Sequence, residues 1–312
     1  MNKKNMDVSN TIKLNRLVLG TAQLGMEYGI NNKSGKPDLI KALEIIRRAF
    51  EAGILTFDTA GVYGEAEAIL GQAVITFNLK DRIKVISKLP ANIGREDRRN
   101  IGKEVEAEVH RALKRINLEI LDGYLLHNPL DLRNPEIMDA LEQCRKKGMV
   151  KHLGVSIYEE KEALDATESK AMDYIQIPYN IFDQRLNKTN FFDIAGGNDV
   201  KIFARSPFLQ GLLLMEAGEL PGRLSAAKIY LKELDIIINK YGYSRLEAAL
   251  LFSYTDKNVD HVVFGIDNSE QLNDIIRIAG ERSENFSACK EELTDRFADV
   301  EKDIIMPNRW KK

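Results

Sequence analysis

The chain has 312 residues, a formal net charge of −2 and 29% charged residues, with Lys and Arg dispersed along its length, which excludes a basic nucleic-acid footprint and leaves a small molecule or a protein as the partner. No run approaches 18 apolar residues, and the start (Met1 to Asp7) has no apolar stretch behind its lysines, so the expectation is a soluble cytoplasmic protein without a membrane partner, a monomer or small homo-oligomer. The length suits two domains or one barrel of the kind that passes 250 residues, and of the two cysteines, Cys144 and Cys289, the first falls in phase with Ile137 and Leu141 and reads as a buried thiol.

In chain order, short β-branched runs alternate with helical patterns. Leu17 to Thr21 is a first strand, followed by a loop from Gly25 to Gly35 and a helix marked by Leu39, Ala42, Ile45, Ile46 and Phe50. Residues 53 to 58 form a second strand, ending at Asp58 and turning through Thr59, Ala60, Gly61, Val62, Tyr63 and Gly64; Glu65 to Phe77 is its helix. The third strand, Ile83 to Lys88, precedes a helix whose Val105, Val109, Ala112, Leu113 and Ile116 share one stripe. The fourth ends at His127.

Asn134 and Pro135 have the form of an N-cap and first-turn proline, opening a helix to about Lys146. Val150 to Ser156, Tyr174 to Ile177 and Val200 to Arg205 are strands five to seven. A longer excursion includes a capping box, Ser244 to Glu247, opening an extra, nearly all-apolar helix. Strand eight is His261 to Gly265, and Leu272, Ile275, Ile276 and Ala279 mark the last barrel helix. Eight such units close most economically as a (β/α)₈ TIM barrel, here one domain with its core at about 15 to 282 and a tail at 283 to 312. The competing doubly wound sheet is disfavoured because Gly20 to Gly25 lacks the G-x-G-x-x-G spacing and no P-loop occurs.

In such a barrel the carboxyl ends of the strands converge on one site. Those ends carry Asp58, Lys88, His127, Ser156, Gln176, Arg205 and Gly265, with Tyr63 on the loop after strand two. Reducing a carbonyl requires hydride at carbon and a proton at oxygen, and a phenol with an ordinary pKa of about 10 is a poor proton shuttle. A lysine beside it lowers that value, a carboxylate orients the lysine, and a histidine donates to the substrate oxygen. Tyr63, Lys88, Asp58 and His127 fit those places. His110, His152 and His261 have no partner at metal spacing, and G-x-S-x-G is missing.

The residues Gly20-Thr21, Phe57-Asp58-Thr59-Ala60 with Tyr63-Gly64, Ser87-Lys88, Leu125 to Pro129, Gly154-Val155-Ser156, Gln176 to Asn180, and Ser206-Pro207 with Gln210-Gly211-Leu212-Leu213 together resemble the aldo-keto reductase superfamily over nearly the whole chain. The resemblance implies NAD(P)(H) bound in extended form across the barrel mouth, with Tyr63 as general acid in reduction. It further implies that Asp58 and Lys88 tune Tyr63, that His127 orients the carbonyl, and that Ser156 and Gln176 hold the nicotinamide carboxamide. The loop after strand seven, with Ser206, Gln210, Gly211 and Leu212, would carry the pyrophosphate. The loop after strand eight, with Gly265, Asp267 and Gln271, would carry the adenosine.

Some positions depart from the family pattern. Ile157 stands where an asparagine often follows the strand-five serine, and Arg205 where an aromatic commonly stacks on the nicotinamide; a guanidinium plane can stack but adds like charge beside an oxidised ring. Asp267 takes the place of a basic residue that many NADP-dependent members use for the 2′-phosphate, and Ile275 that of an amide; a carboxylate repels that phosphate and accepts from a ribose hydroxyl, which favours NAD(H). The loop pattern is closest to a branch found among bacterial surface-polysaccharide and sugar-biosynthesis proteins. A mouth lined by Tyr28, Asn31, Asn128, Tyr158 and Arg205 suits a sugar or other polar carbonyl, with Arg205 able to meet a phosphate. The alternative is a cofactor-binding module with little turnover that docks a partner. The tail, with Leu293, Phe297 and Val300 in an amphipathic stretch, either covers the mouth or makes a subunit contact.

Overall fold

The computed structural model describes residues 14–93, 100–281 and 285–310. The Met1 to Asp7 stretch, and residues 283, 284, 311 and 312 of the expected tail, lie outside the described residues. Eight parallel strands, β1 (Leu17–Gly20), β2 (Thr56–Asp58), β3 (Lys84–Leu89), β4 (Leu121–Leu126), β5 (Val150–Ser156), β6 (Tyr174–Pro178), β7 (Lys201–Arg205) and β8 (His261–Phe264), close in sequence order. The eighth pairs back on the first. This is the expected (β/α)₈ barrel.

The α-helices of seven residues or more are α1 (Leu39–Glu51), α2 (Ala66–Thr76), α3 (Ile101–Ile116), α4 (Pro135–Lys146), α5 (Glu160–Glu168), α6 (Phe191–Gly197), α7 (Ala227–Lys240), α8 (Arg245–Tyr254), α9 (Ser269–Glu281) and α10 (Ser287–Arg296). Their starts follow local chemistry. Asp38 accepts from Lys41 N at 2.9 Å before α1, Asn134 accepts from Glu136 N at 3.0 Å before the Pro135 turn of α4, and Ser244 and Glu247 form a reciprocal capping box on α8. Apolar stripes such as Ala42, Ile45, Ile46 and Ala49 of α1 are buried against the barrel.

Inside the barrel, Val18, Ile86, Leu125, Tyr174, Phe203 and Val263 make a plug separate from the outer helix–strand core. Gly154 admits Tyr174, because a Cβ there would stand 2.5 Å from the Tyr174 carbonyl oxygen. His152 stacks on Tyr174 and His261 on Phe203, each at 4.6 Å between centroids, near the amino ends of their strands. Their histidines therefore pack the floor, remote from the strand ends that build the site.

Two features differ from the sequence expectation, and the tail takes one of the two positions left open for it. Strand β2 begins at Thr56 because Gly53, with φ +98°, and Ile54, whose N–H donates to Ala49 O, terminate α1 instead. Helix α7 was hidden in the excursion because Ile229 and Ile236 lie on its exposed side and blur the period left by buried Leu231, Leu234, Ile237 and Ile238. In the tail, Leu293, Phe297, Val300, Ile304, Ile305 and Met306 are buried, which carries Pro307 and Asn308 to the barrel mouth.

Candidate active site

The carboxyl ends of the strands surround a cavity of about 850 Å³ that runs from Asp58, Tyr63 and His127 to Asp267, Gln271 and Arg245 at the amino ends of α9 and α8. Strand register places its inner wall: Gly20 pairs with Asp58, Ser156 with Gln176, and Arg205 with Val263.

Lys88 lies beneath the cavity floor with its side chain fully buried, donating to Asp58 Oδ1 at 2.7 Å and Oδ2 at 2.9 Å and to Thr59 O at 3.1 Å. Burial pulls the ammonium down, but the charges of Asp58 and then Tyr63 more than offset it, so the net shift is up and the lysine is a fixed cation. Its Nζ is 5.0 Å from the centre of the Tyr63 ring. Burial pushes the Tyr63 phenol up, Lys88 pulls it down and Asp58 pushes it up again; the net shift is upward. Burial thus outweighs the lowering expected from the lysine, and the phenol is held in its proton-bearing form. His127 stands edge-on to Tyr63, centroids 6.1 Å apart. Burial, then Lys88 and Arg205, lower its pKa from 6.5 to about 4, so the imidazole is neutral at ordinary pH.

The Tyr63 loop is locked from behind by backbone contact. Glu65 N donates to Gly25 O at 3.2 Å, a Cβ on Gly25 would lie 2.1 Å from Tyr63 O, and one on Gly64, at φ +58°, 2.4 Å from Gly25 O. Both glycines permit the approach that fixes where the phenol points. Thr21 adds two bonds to the Asp58 carbonyl, from N at 2.9 Å and Oγ1 at 3.0 Å.

Gln176 connects the expected cofactor contacts to this group. Its Nε2 donates to Asp58 Oδ2 at 2.8 Å, and its Oε1 accepts from Ser156 Oγ at 3.2 Å. One amide hydrogen and one lone pair remain for a ligand. After β7 the chain enters left-handed backbone at Ser206, Leu209, Gln210 and Gly211 (φ 61°, 48°, 54° and 95°), three of them non-glycine, which concentrates strain at the cavity wall. Gly211 packs on Asn31, and Gln210 Nε2 donates to Tyr28 OH at 3.1 Å. This joins the loops after β1 and β7.

At the outer end, Asp267 N donates to Gln271 Oε1 at 2.7 Å, and the Asp267 carboxylate has no cationic partner among the described residues. Arg245 Nε and Nη2 each meet Asp235 at 2.6 Å, and Nη1 donates to Met215 O. Glu216 also lines this end.

Of the residues singled out in the sequence, Gly20, Thr21, Tyr28, Asn31, Asp58, Tyr63, His127, Ser156, Tyr158, Gln176, Arg205, Ser206, Gln210, Gly211, Gly265, Asp267 and Gln271 line the cavity. Two do not. Asn128 is turned to capping, accepting from Leu130 N at 3.3 Å and donating to Asp131 Oδ1 at 2.9 Å. Leu212 is fully buried in the apolar core, since the left-handed turn at Gln210 and Gly211 points it inward. Sequence reasoning missed Asp235, Arg245, Pro307 and Asn308. The capping box at Ser244 marked a helix start that the barrel topology brings to the mouth, whereas the tail's position depends on packing with no local signal.

The sequence profile of the Aldo/keto reductase family matches residues 16–291. Among relatives, D-arabinose 1-dehydrogenase of Saccharomyces cerevisiae is 32% identical over 148 residues, spanning 46% of this chain and 42% of that protein. An uncharacterized oxidoreductase of Bacillus subtilis is 23% identical over 93% of this chain and 98% of its own length. L-glyceraldehyde 3-phosphate reductase of Escherichia coli K12 is 26% identical over 76% and 80%. The fold also matches a solved structure of a proposed aldo-keto reductase from Pseudomonas aeruginosa, with a TM-score of 0.63 and 19% identity over 85% of this chain and 90% of that one.

Proposed function

The chain belongs to the aldo/keto reductase family, and from that premise we propose that it is a nicotinamide-dependent oxidoreductase interconverting a carbonyl and an alcohol on a small polar substrate. The observation that carries this reading is the buried Lys88–Asp58 pair beneath Tyr63, with neutral His127 edge-on to the phenol. These four fit a proton-delivery unit, and an intact unit favours turnover over a docking module.

The residues fit a nicotinamide dinucleotide. Ser156 and Gln176 offer the remaining amide and hydroxyl valences for a carboxamide, the left-handed turn at Ser206 to Gly211 suits an anion-binding backbone concavity, and the helix starts at Arg245 and Ser269 end the cavity. When bound there, the cofactor supplies or accepts hydride.

In reduction, Tyr63 donates its proton to the carbonyl oxygen. Burial raises its pKa and so opposes proton release, while the Lys88 charge works against that rise and stabilises the phenolate left behind. Asp58 holds Lys88 in place, and Gln176 holds Asp58. His127, uncharged, donates to the same oxygen without competing as an acid. Tyr28, Asn31 and Tyr158 bound the substrate space, and Pro307 and Asn308 narrow the mouth.

The outer end supports NAD(H) over NADP(H). Its charged lining is Asp267, Asp235, Glu216 and Arg245, and Arg245 is already neutralised by Asp235. A 2′-phosphate would meet net negative charge, whereas a ribose hydroxyl can donate to Asp267. The polar lining, and relatives named for arabinose and glyceraldehyde phosphate, support a sugar or sugar derivative, as in the surface-polysaccharide branch the loops resemble. A hydride-transfer assay over a carbonyl panel tests this: polar hydroxyaldehydes should be preferred, and preference for hydrophobic aldehydes refutes it.

A further inference from the structure

We propose that Arg205 is an anion anchor that selects carbonyl substrates carrying a phosphate or carboxylate near the reacting carbon. The inference rests on the reductase reading for its kinetic readout and deepens it to a substrate class.

Arg205 ends β7 and reaches across the mouth, where Nη2 donates to Ile157 O at 2.9 Å and the guanidinium sits 4.5 Å above the Tyr158 ring. These contacts orient the group without neutralising it. Nη1 has only a long contact, 3.4 Å to Ser206 Oγ, and Nε is buried with no partner. No carboxylate pairs with Arg205 among the described residues. Two other interior arginines contrast: Arg185 and Arg245, with side chains 13% and 12% exposed, are each met by carboxylates, while Arg16 gives its donors to the backbone carbonyls of Asp256, Val259 and Asp260. A partly desolvated, unpaired guanidinium is costly to keep, and an anionic oxygen on Nη1 would compensate it.

Among the described residues, the catalytic end offers an anion no other unpaired cation. Lys88 is sealed under the floor by Asp58, and His127 is neutral. Among described residues lining the cavity the cations are Arg205 and the already paired Arg245. The Arg205 charge favours lower pKa values at Tyr28, Tyr63 and His127 and at buried Asp183, whose own partner is Arg185. Lining the cavity with the first three, Arg205 stands beside the space where a carbonyl must lie.

An anionic oxygen there has two sources, the substrate or the cofactor pyrophosphate. The test measures NADH-dependent reduction of glyceraldehyde 3-phosphate and of glyceraldehyde by the wild type, Arg205→Gln and Arg205→Lys, with NADH dissociation constants from fluorescence. Wild type should favour the phosphorylated aldehyde in kcat/KM by on the order of tenfold or more. Arg205→Gln should collapse that ratio through KM, Arg205→Lys should keep part of it, and NADH affinity should change less than about threefold. An unchanged ratio overturns the proposal, and an unchanged ratio with NADH binding weakened tenfold assigns Arg205 to the pyrophosphate. If neither aldehyde is reduced, the reductase reading fails separately. Calorimetric titration of the protein with NADH by sn-glycerol 3-phosphate then decides: binding lost in Arg205→Gln supports the anchor, and equal binding or none in wild type overturns it.

Discussion

Replacing Lys88 with methionine keeps most of the side-chain volume and removes the charge under Tyr63. At 2.7 Å the Lys88–Asp58 attraction is about 6 kcal/mol for an effective dielectric of 20, and desolvating both ions offsets most of it, so the pair as a unit adds little to stability. Removing one partner is different. Asp58, its side chain 5% exposed, would keep the Gln176 Nε2 donor but lose its counter-ion, and a broken buried pair costs about 3–5 kcal/mol. That is a large part of the roughly 5–15 kcal/mol that holds a domain folded. Urea unfolding should show that loss for Lys88→Met, while adding Asp58→Asn should recover most of it. A single variant losing less than about 1 kcal/mol, or a double variant as unstable as the single, refutes the argument that Asp58 depends on this cation.

For His127, the pKa falls from 6.5 to about 4 in the folded protein. A lowered histidine contributes stability that is complete above pH 6.5 and is lost as pH falls toward 4, by roughly 3 kcal/mol in total; His127→Gln should flatten that acid limb in denaturant titrations across the range. Gly64→Ala places a Cβ 2.4 Å from Gly25 O at φ +58°, so it should cost on the order of 1–3 kcal/mol and lower kcat by moving Tyr63; a fully active variant of wild-type stability would remove the backbone lock from the account. At the outer end, NADH should bind more tightly than NADPH, and Asp267→Lys should improve NADPH affinity by about tenfold; tighter NADPH binding by the wild type would contradict the cofactor reading.

Much of this architecture was legible because each unit carries its own signals. The capping residues Asn134 and Ser244 and the stripes of α1 and α3 announce helices whose period survives in the structure. The strand ends were enough to group Asp58, Lys88, His127, Ser156, Gln176 and Arg205, because a closed parallel barrel brings those ends together whatever their separation. What sequence could not show was how atoms are shared. The Gln176–Asp58 bond, the capping use of Asn128 and the inward turn of Leu212 depend on side-chain direction, which neither propensity nor spacing encodes. The mouth-covering tail is set by distant burial of Ile304 to Met306 and by ion pairs of Lys302 and Arg309 with Glu159. The net rise of the Tyr63 pKa was equally hidden, since the sequence shows the lysine beside the phenol but not how deeply the ring is desolvated.

Proton delivery by Tyr63 is tested most directly at its hydroxyl. Tyr63→Phe removes one hydroxyl from a site whose proposed cofactor contacts lie elsewhere, so NADH should bind within about threefold of wild type while kcat/KM for a reducible carbonyl falls by at least about a hundredfold. Turnover by Tyr63→Phe within tenfold of wild type would contradict the account.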